Sequence, residues 1–222
     1  MRRSMRERAE TAAKKMQGMS LGKKISYLFT YYKGWLLALV VVFLFGFYVG
    51  DVLVQRSREI VLQGFFTNDV DNCFPAAALE KEVGAALGLK AKQRVVFDDS
   101  LYVDQHGEAT EYSAASNSKI VAYVSTGELD FVVTNRELLE HFQTALPMAD
   151  LKSLLPEELF QVLEPYMVTV SDEEGNLRFC ALDLRESRYL KDRGAKETYY
   201  LFVPQSAPHK SVVIQFLLYS YS

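Results

Sequence analysis

Three polar clusters in this 222-residue chain stand where strands would end: Thr67-Asn68-Asp69, Asp98-Asp99-Ser100 and Thr134-Asn135. Each closes a run of β-branched or aromatic residues. Each is therefore expected at the carboxyl end of a strand, the edge where open α/β sheets gather ligands beside helix N-termini. A polar and acidic set of this kind suits a cation, a sugar or an amine better than an anion. The candidate ligand contacts are Asn68, Asp69, Asp98, Asp99, Thr134 and Asn135. Asp and Asn at strand ends are also caps and turn formers, which is the competing structural role.

Catalytic chemistry finds little footing. His106, His141 and His209 fall in a polar loop, on a helix and near a helix start, with no nucleophile elbow, H-E-x-x-H pair or phosphate-binding loop nearby. Ser113, Ser116 and Ser118 form a polar, cap-like stretch. Asp98, Asp99 and Asp104 lack the glycine and terminal glutamate of an EF-hand loop. No enzyme, metal or cofactor is expected. The only cysteines, Cys73 and Cys180, either form one disulfide closing a long loop, worth about 2–4 kcal/mol by the chain-entropy argument, or are two separate buried thiols.

The elements that must position these groups alternate in type. Strand patterns cover 60–66, 94–97, 129–134 and 198–204, and helical spacing covers 75–87, 116–126, 136–145 and 208–219. A helical region at 151–163 is interrupted at Pro156, and 167–170 pairs with 178–184 through the turn signal Asp172-Glu-Glu-Gly-Asn176. Strands separated by helices predict an α/β fold with a mostly parallel sheet. About 168 residues, taken as 55–222, suffice for one domain with its own core.

Ahead of that domain lies the apolar run Gly34 to Gly50, extended by Val52, Leu53 and Val54 around Asp51. As a helix, 34–54 would measure about 31 Å, matching a hydrocarbon core of about 30 Å. Trp35 and Tyr48 suit its two headgroup boundaries. Residues 1–33 carry nine Lys and Arg (Arg2, Arg3, Arg6, Arg8, Lys14, Lys15, Lys23, Lys24, Lys33) against Glu7 and Glu10. The positive-inside rule then keeps the N-terminus cytoplasmic. No A-x-A exit is present at Phe47-Tyr-Val-Gly50, so an uncleaved signal-anchor is expected. The expected organisation is a basic cytoplasmic segment at 1–33, a transmembrane helix at 34–54 and an extracytoplasmic domain at 55–222. Within 20–33, Leu21, Ile25, Leu28, Phe29 and Tyr32 recur at helical spacing. That pattern fits an interfacial helix or a continuation of the membrane helix. Beyond residue 54 stand sixteen Lys and Arg against twenty-five Asp and Glu, the chain's 25 and 28 less the nine and three that precede. So acidic an exterior repels nucleic acid.

The stretch Lys119 to Thr134, a helix ending in Gly127-Glu-Leu-Asp130 and running into a strand, resembles a passage of the extracellular solute-binding proteins of ABC transporters. Ala149-Asp-Leu-Lys-Ser-Leu-Leu155 and the closing Ser211 to Tyr219 segment are similar to two further pieces of that family. The resemblance spans about residues 59–220. It implies a type II periplasmic-binding-like fold reduced to one lobe with a hairpin addition, a small-molecule ligand, and a membrane partner such as an ABC permease. The head, Leu21 to Lys33 before one span, resembles uncharacterised anchored proteins of Gram-positive gut bacteria. A chain too short for a second lobe suits the other reading, a structural or assembly protein of the envelope with a protein-binding exterior.

Overall fold

The computed structural model describes residues 20–104, 110–171, 177–191 and 195–222, with side chains at 21–33, 35–36, 54–56 and 171 left out of the description. His106 and the expected 172–176 turn fall outside the described residues. The chain divides into two units, the first ending at Ser57 and the second spanning Arg58–Ser222.

The first unit is one helix, α1 (Leu21–Arg56), unbroken from the amphipathic segment through the apolar run. Its described apolar side chains point to solvent all round the circumference: Leu37, Leu39, Phe43, Leu44, Phe45, Phe47, Tyr48 and Leu53 are each at least 60% exposed. Among the described residues no helix is by itself long and apolar enough to cross a membrane. The side chains of Trp35, Leu36 and Val54, which belong to the sequence's apolar run, lie outside that description.

The second unit is a mixed α/β domain around a six-stranded sheet: β1 (Glu59–Thr67), β2 (Gln93–Leu101), β3 (Phe131–Asn135), β4 (Met167–Ser171), β5 (Leu177–Asp183) and β6 (Tyr199–Phe202). Their order is β2-β1-β3-β6-β5-β4. β1 pairs in parallel with β2 and β3, as the alternating pattern predicts, while β3–β6, β6–β5 and β5–β4 are antiparallel. The expectation of a mostly parallel sheet thus holds for one half only. Parallel neighbours need a crossover, usually a helix, and none is described between β4 and β5 or between β5 and β6, so the chain can only fold back on itself.

Helices α2 (Ala76–Ala86) and α3 (Glu111–Thr126) make the two crossovers, and α4 (Arg136–Ala145) follows β3 directly. Two short helices, α5 (Leu151–Leu154) and α6 (Glu157–Leu163), flank Pro156, and α7 (Lys210–Ser220) closes the chain. Neighbouring strand residues face opposite sides. Leu62, Phe66, Phe131 and Val133 join Leu79 and Val83 of α2 in one core. Phe65 and Val132 join Ile120 and Val124 of α3 in the other. The cysteines fall into these separate cores, Cys73 in the first and Cys180 in the second, so the sheet stands between them and the disulfide does not form. In the first core the Phe131 ring lies over Gly64, where an added Cβ would sit 2.1 Å from Cζ. A bare backbone at 64 is what lets the central ring stack on Phe216, centroids 4.8 Å apart.

Two element boundaries move, and both bear on the site. β2 runs on to Leu101, which places Asp98, Asp99 and Ser100 inside the strand rather than past its end. α3 begins at Glu111, five residues earlier than its apolar spacing indicated, because Thr110 caps it by accepting from the Ser113 N–H at 3.1 Å. Ser113 and Ser116 are therefore helical. Their hydroxyls accept from the Asp104 and Tyr102 N–H groups at 2.8 and 3.3 Å, tying the exit of β2 to the helix. Gly127, at φ 69°, ends α3 in the left-handed conformation that costs glycine little.

Candidate functional site

The chain leaves β1 for α2 on one face of the sheet and returns to β3 through α3 on the other. The carboxyl ends of β1 and β3 therefore mark a topological switch point, where departing loops diverge and leave a crevice. A cleft of about 200 Å³ lies there. Asn68 and Val70 follow β1, Tyr102, Val103 and Asp104 follow β2, Asn135, Glu137 and Leu138 stand at the start of α4, and Glu197 also lines it. Val103 and Leu138 are buried members of the second core, so they form an apolar floor. Val70 and Tyr102 are 64% and 44% exposed. Among the described lining residues, Asp104, Glu137 and Glu197 are acidic and none is Lys, Arg or His.

Of the six residues marked in the sequence, Asn68 and Asn135 line this cleft. Both also hold the fold. Asn68 adopts φ 56°, tolerable for Asn, and its side chain imitates a strand residue: Nδ2 donates to the Val103 carbonyl at 2.9 Å and Oδ1 accepts from the Val103 N–H at 2.8 Å. Asn135 caps α4, accepting from the Leu138 N–H at 3.1 Å. The helix presents its first amides here, where no intrahelical acceptor exists.

The other four are not among the lining residues. Asp69 accepts from the N–H groups of Cys73 and Phe74 at 2.8 and 2.7 Å, closing the loop before α2. Asp99 accepts from the Ala76 N–H at 2.8 Å, a cap supplied by a strand to a helix whose own N-cap is Pro75. Asp98 pairs with Lys119 at 2.5 Å and accepts from the N–H and hydroxyl of Ser100. Burial alone would push its carboxyl up, but the Lys119 and Ser100 contacts outweigh that and hold it below the ordinary value. Thr134 is fully buried, with no partner for Oγ1.

A second cleft, of about 350 Å³, lies at the C-terminal end of α4 and includes Gln143, Arg178, Cys180 and Gln205. Cys180 Sγ accepts from Gln143 Nε2 at 3.1 Å and donates to the Val168 carbonyl at 3.4 Å. Burial pushes this thiol up, away from the thiolate that nucleophilic chemistry requires.

Sequence reasoning missed one polar centre. Asp130 is wholly buried and accepts from the Gln63 N–H at 2.7 Å, the His209 N–H at 2.8 Å and His209 Nδ1 at 3.0 Å. It ties the entry of β3 to β1 and to the start of α7. The pairing of an acid at 130 with a histidine at 209 has no local sequence signature. A carboxylate orienting an imidazole occurs in hydrolytic triads, yet Ser206, three residues before His209, donates its hydroxyl to the Val124 carbonyl at 2.6 Å. The arrangement is a fastener.

Comparison of the chain with protein-family models, with curated proteins and with solved structures finds no match.

Proposed function

We propose that this chain is a non-enzymatic, single-pass membrane protein whose α/β domain binds a small polar ligand in the cleft at the β1/β3 switch point. The observation that carries the reading is the coincidence of a concave, polar-lined cleft with the one place where the strand order reverses. The membrane part rests on the apolar run 34–54, on the exposed apolar circumference of α1 and on the basic residues of 1–33. In this reading the N-terminus is cytoplasmic and the domain lies outside the cell membrane. A domain held at that surface hands its ligand to, or senses it for, a neighbour in the same bilayer; an ABC-type permease is the partner that the solute-binding resemblance suggests.

One observation favours the other reading, an envelope assembly protein without a small ligand. The cleft, at about 200 Å³, is smaller than the ~300 Å³ at which drug-sized sites begin, and the described domain has a single sheet. A thermal-shift screen of the full chain in detergent against a library of small polar metabolites separates the two. Saturable stabilisation that is lost in a Glu197→Gln variant supports the cleft. A flat screen, with crosslinking in cells that captures a stoichiometric envelope protein, supports assembly.

A further inference from the structure

We infer that the amino-terminal edge of the β1–β2 pair is a basic patch that docks on anionic lipid headgroups; this rests on the membrane part of the reading above. The domain is acidic overall, yet residues 83–97 contain Lys90, Lys92 and Arg94 and no Asp or Glu. Parallel pairing brings a fourth cation beside them. The Glu59 N–H donates to the Lys92 carbonyl at 2.8 Å and Ile60 stands opposite Arg94, so the chain enters β1 through Arg58 next to Lys92. Lys90 and Lys92 are exposed, and Arg58 and Arg94 are half-buried. Set against these four are Glu59 and Glu128, at the entries of β1 and β3, which leaves an excess of two positive charges. None of the four has an ion pair among the described residues, whereas Lys119, Arg136, Arg185, Arg188 and Lys191 each pair with an acid. Arg58 Nε and Arg94 Nε are buried without an acceptor. The C-terminal carbonyls of α2 do not take up these cations, because Val83, Ala85 and Gly84 already accept from the N–H groups of Leu87, Gly88 and Leu89.

Connectivity selects the source of the anion. Arg58 is four residues beyond Val54, the end of the proposed span, and four residues reach no further than about 14 Å. That reach covers the headgroup layer. A headgroup phosphate offers the acceptor oxygens that guanidinium and ammonium groups recognise. At its other end β1, nine residues and about 26 Å long, meets the cleft lined by Asp104, Glu137 and Glu197. The separation exceeds the screening length of ~8 Å in physiological salt, so those acids do not cancel the attraction at the basic edge. A domain charged in this way turns that edge toward an anionic surface.

Ala91, exposed between the two lysines, is the reporter position: the full chain with Ala91→Cys carries a fluorophore there, and the native Cys73 and Cys180 are buried. It is placed in nanodiscs of phosphatidylcholine, with or without phosphatidylglycerol, that contain a nitroxide-labelled phosphatidylcholine as quencher. The expected result is stronger quenching in the anionic discs, falling as salt rises. Lys90→Gln and Lys92→Gln, both at exposed positions, should each lower the ratio of docked to undocked domain about fivefold. Equal quenching in neutral and anionic discs, or quenching unchanged in the double variant, would overturn the inference and leave the membrane reading standing. Release by glycerol phosphate at matched ionic strength would overturn the lipid assignment in favour of a soluble anion. A chain that does not enter the discs overturns the membrane reading, and this inference with it.

Discussion

Replacing Asp130 tests whether one buried carboxylate fastens the domain together. In Asp130→Ala the Gln63 and His209 N–H groups and the His209 ring lose their acceptor, at a residue with no exposed surface. Each hydrogen bond to a charged acceptor is worth about 1.5–3 kcal/mol, but the three share one carboxylate and are not additive. What the substitution leaves are unsatisfied donors, two of them backbone N–H groups, at about 1–3 kcal/mol each, so the expected loss is about 3–5 kcal/mol. For a chain of this size that is a fall in melting temperature of about 6–20 °C. Asp130→Asn keeps one acceptor oxygen and should lose less. His209→Ala should lose least, because the side chain of His209 is one-third exposed and Asp130 retains both backbone donors. Thermal unfolding of the full chain in detergent, followed by near-ultraviolet circular dichroism of the aromatic core, should rank Asp130→Ala worst, then Asp130→Asn, then His209→Ala. A loss under about 1 kcal/mol for Asp130→Ala, or His209→Ala as severe as Asp130→Ala, would refute the reasoning.

Gly64→Ala drives a Cβ into the buried Phe131 ring, which other aromatic rings hold in place, and should cost about 3 kcal/mol on denaturation; a neutral effect would mean that the ring can move. The thiols should titrate as two on denaturation without reductant, and non-reducing and reducing gels should show the same mobility; a faster non-reducing band would mean that a bridge forms. Asp98, held below its ordinary value, contributes stability that is complete above that value and is lost as pH falls through the depressed one. Lys119 is 40% exposed, so Asp98→Asn should cost less than about 1 kcal/mol at neutral pH and nothing at acid pH; an equal cost at both would show that the charge plays no part. A reporter fused after Ser222 should be exported and one fused at Arg2 should stay cytoplasmic, and the reverse result would overturn the orientation.

Much of the frame could be read along the chain. The helical spacing at 136–145 matches α4, the break at Pro156 separates α5 from α6, and the 167–184 hairpin carries its pattern in the sequence, because period, caps and proline act over a few neighbours. The start of α3 has no periodic signal, because its first turn, Glu111-Tyr-Ser-Ala114, is held by a Thr110 cap and has no apolar stripe to announce it. The polar strand ends gather along one edge of the sheet, but their side chains do not all face the same space. Asn68 and Asn135 reach the cleft, whereas Asp69 and Asp99 turn back to cap the approach to α2, and Asp98 meets Lys119. A free amide at a helix start draws the nearest carboxylate whichever element carries it, and that distance is not written in the sequence.

By itself the sequence determined the apolar run, the basic head before it, the acidic balance beyond it and the alternation of strands with helices, all properties of composition and short-range period. Tertiary structure alone decided that β6 returns antiparallel between β3 and β5, that the two cysteines lie on opposite faces of the sheet, that Asp130 reaches His209, and that Tyr102 and Glu197 share a cleft. These depend on groups far apart in the chain being brought within a few ångströms. The burial of two cores against one sheet supplies the energy for that, and no local signal records it.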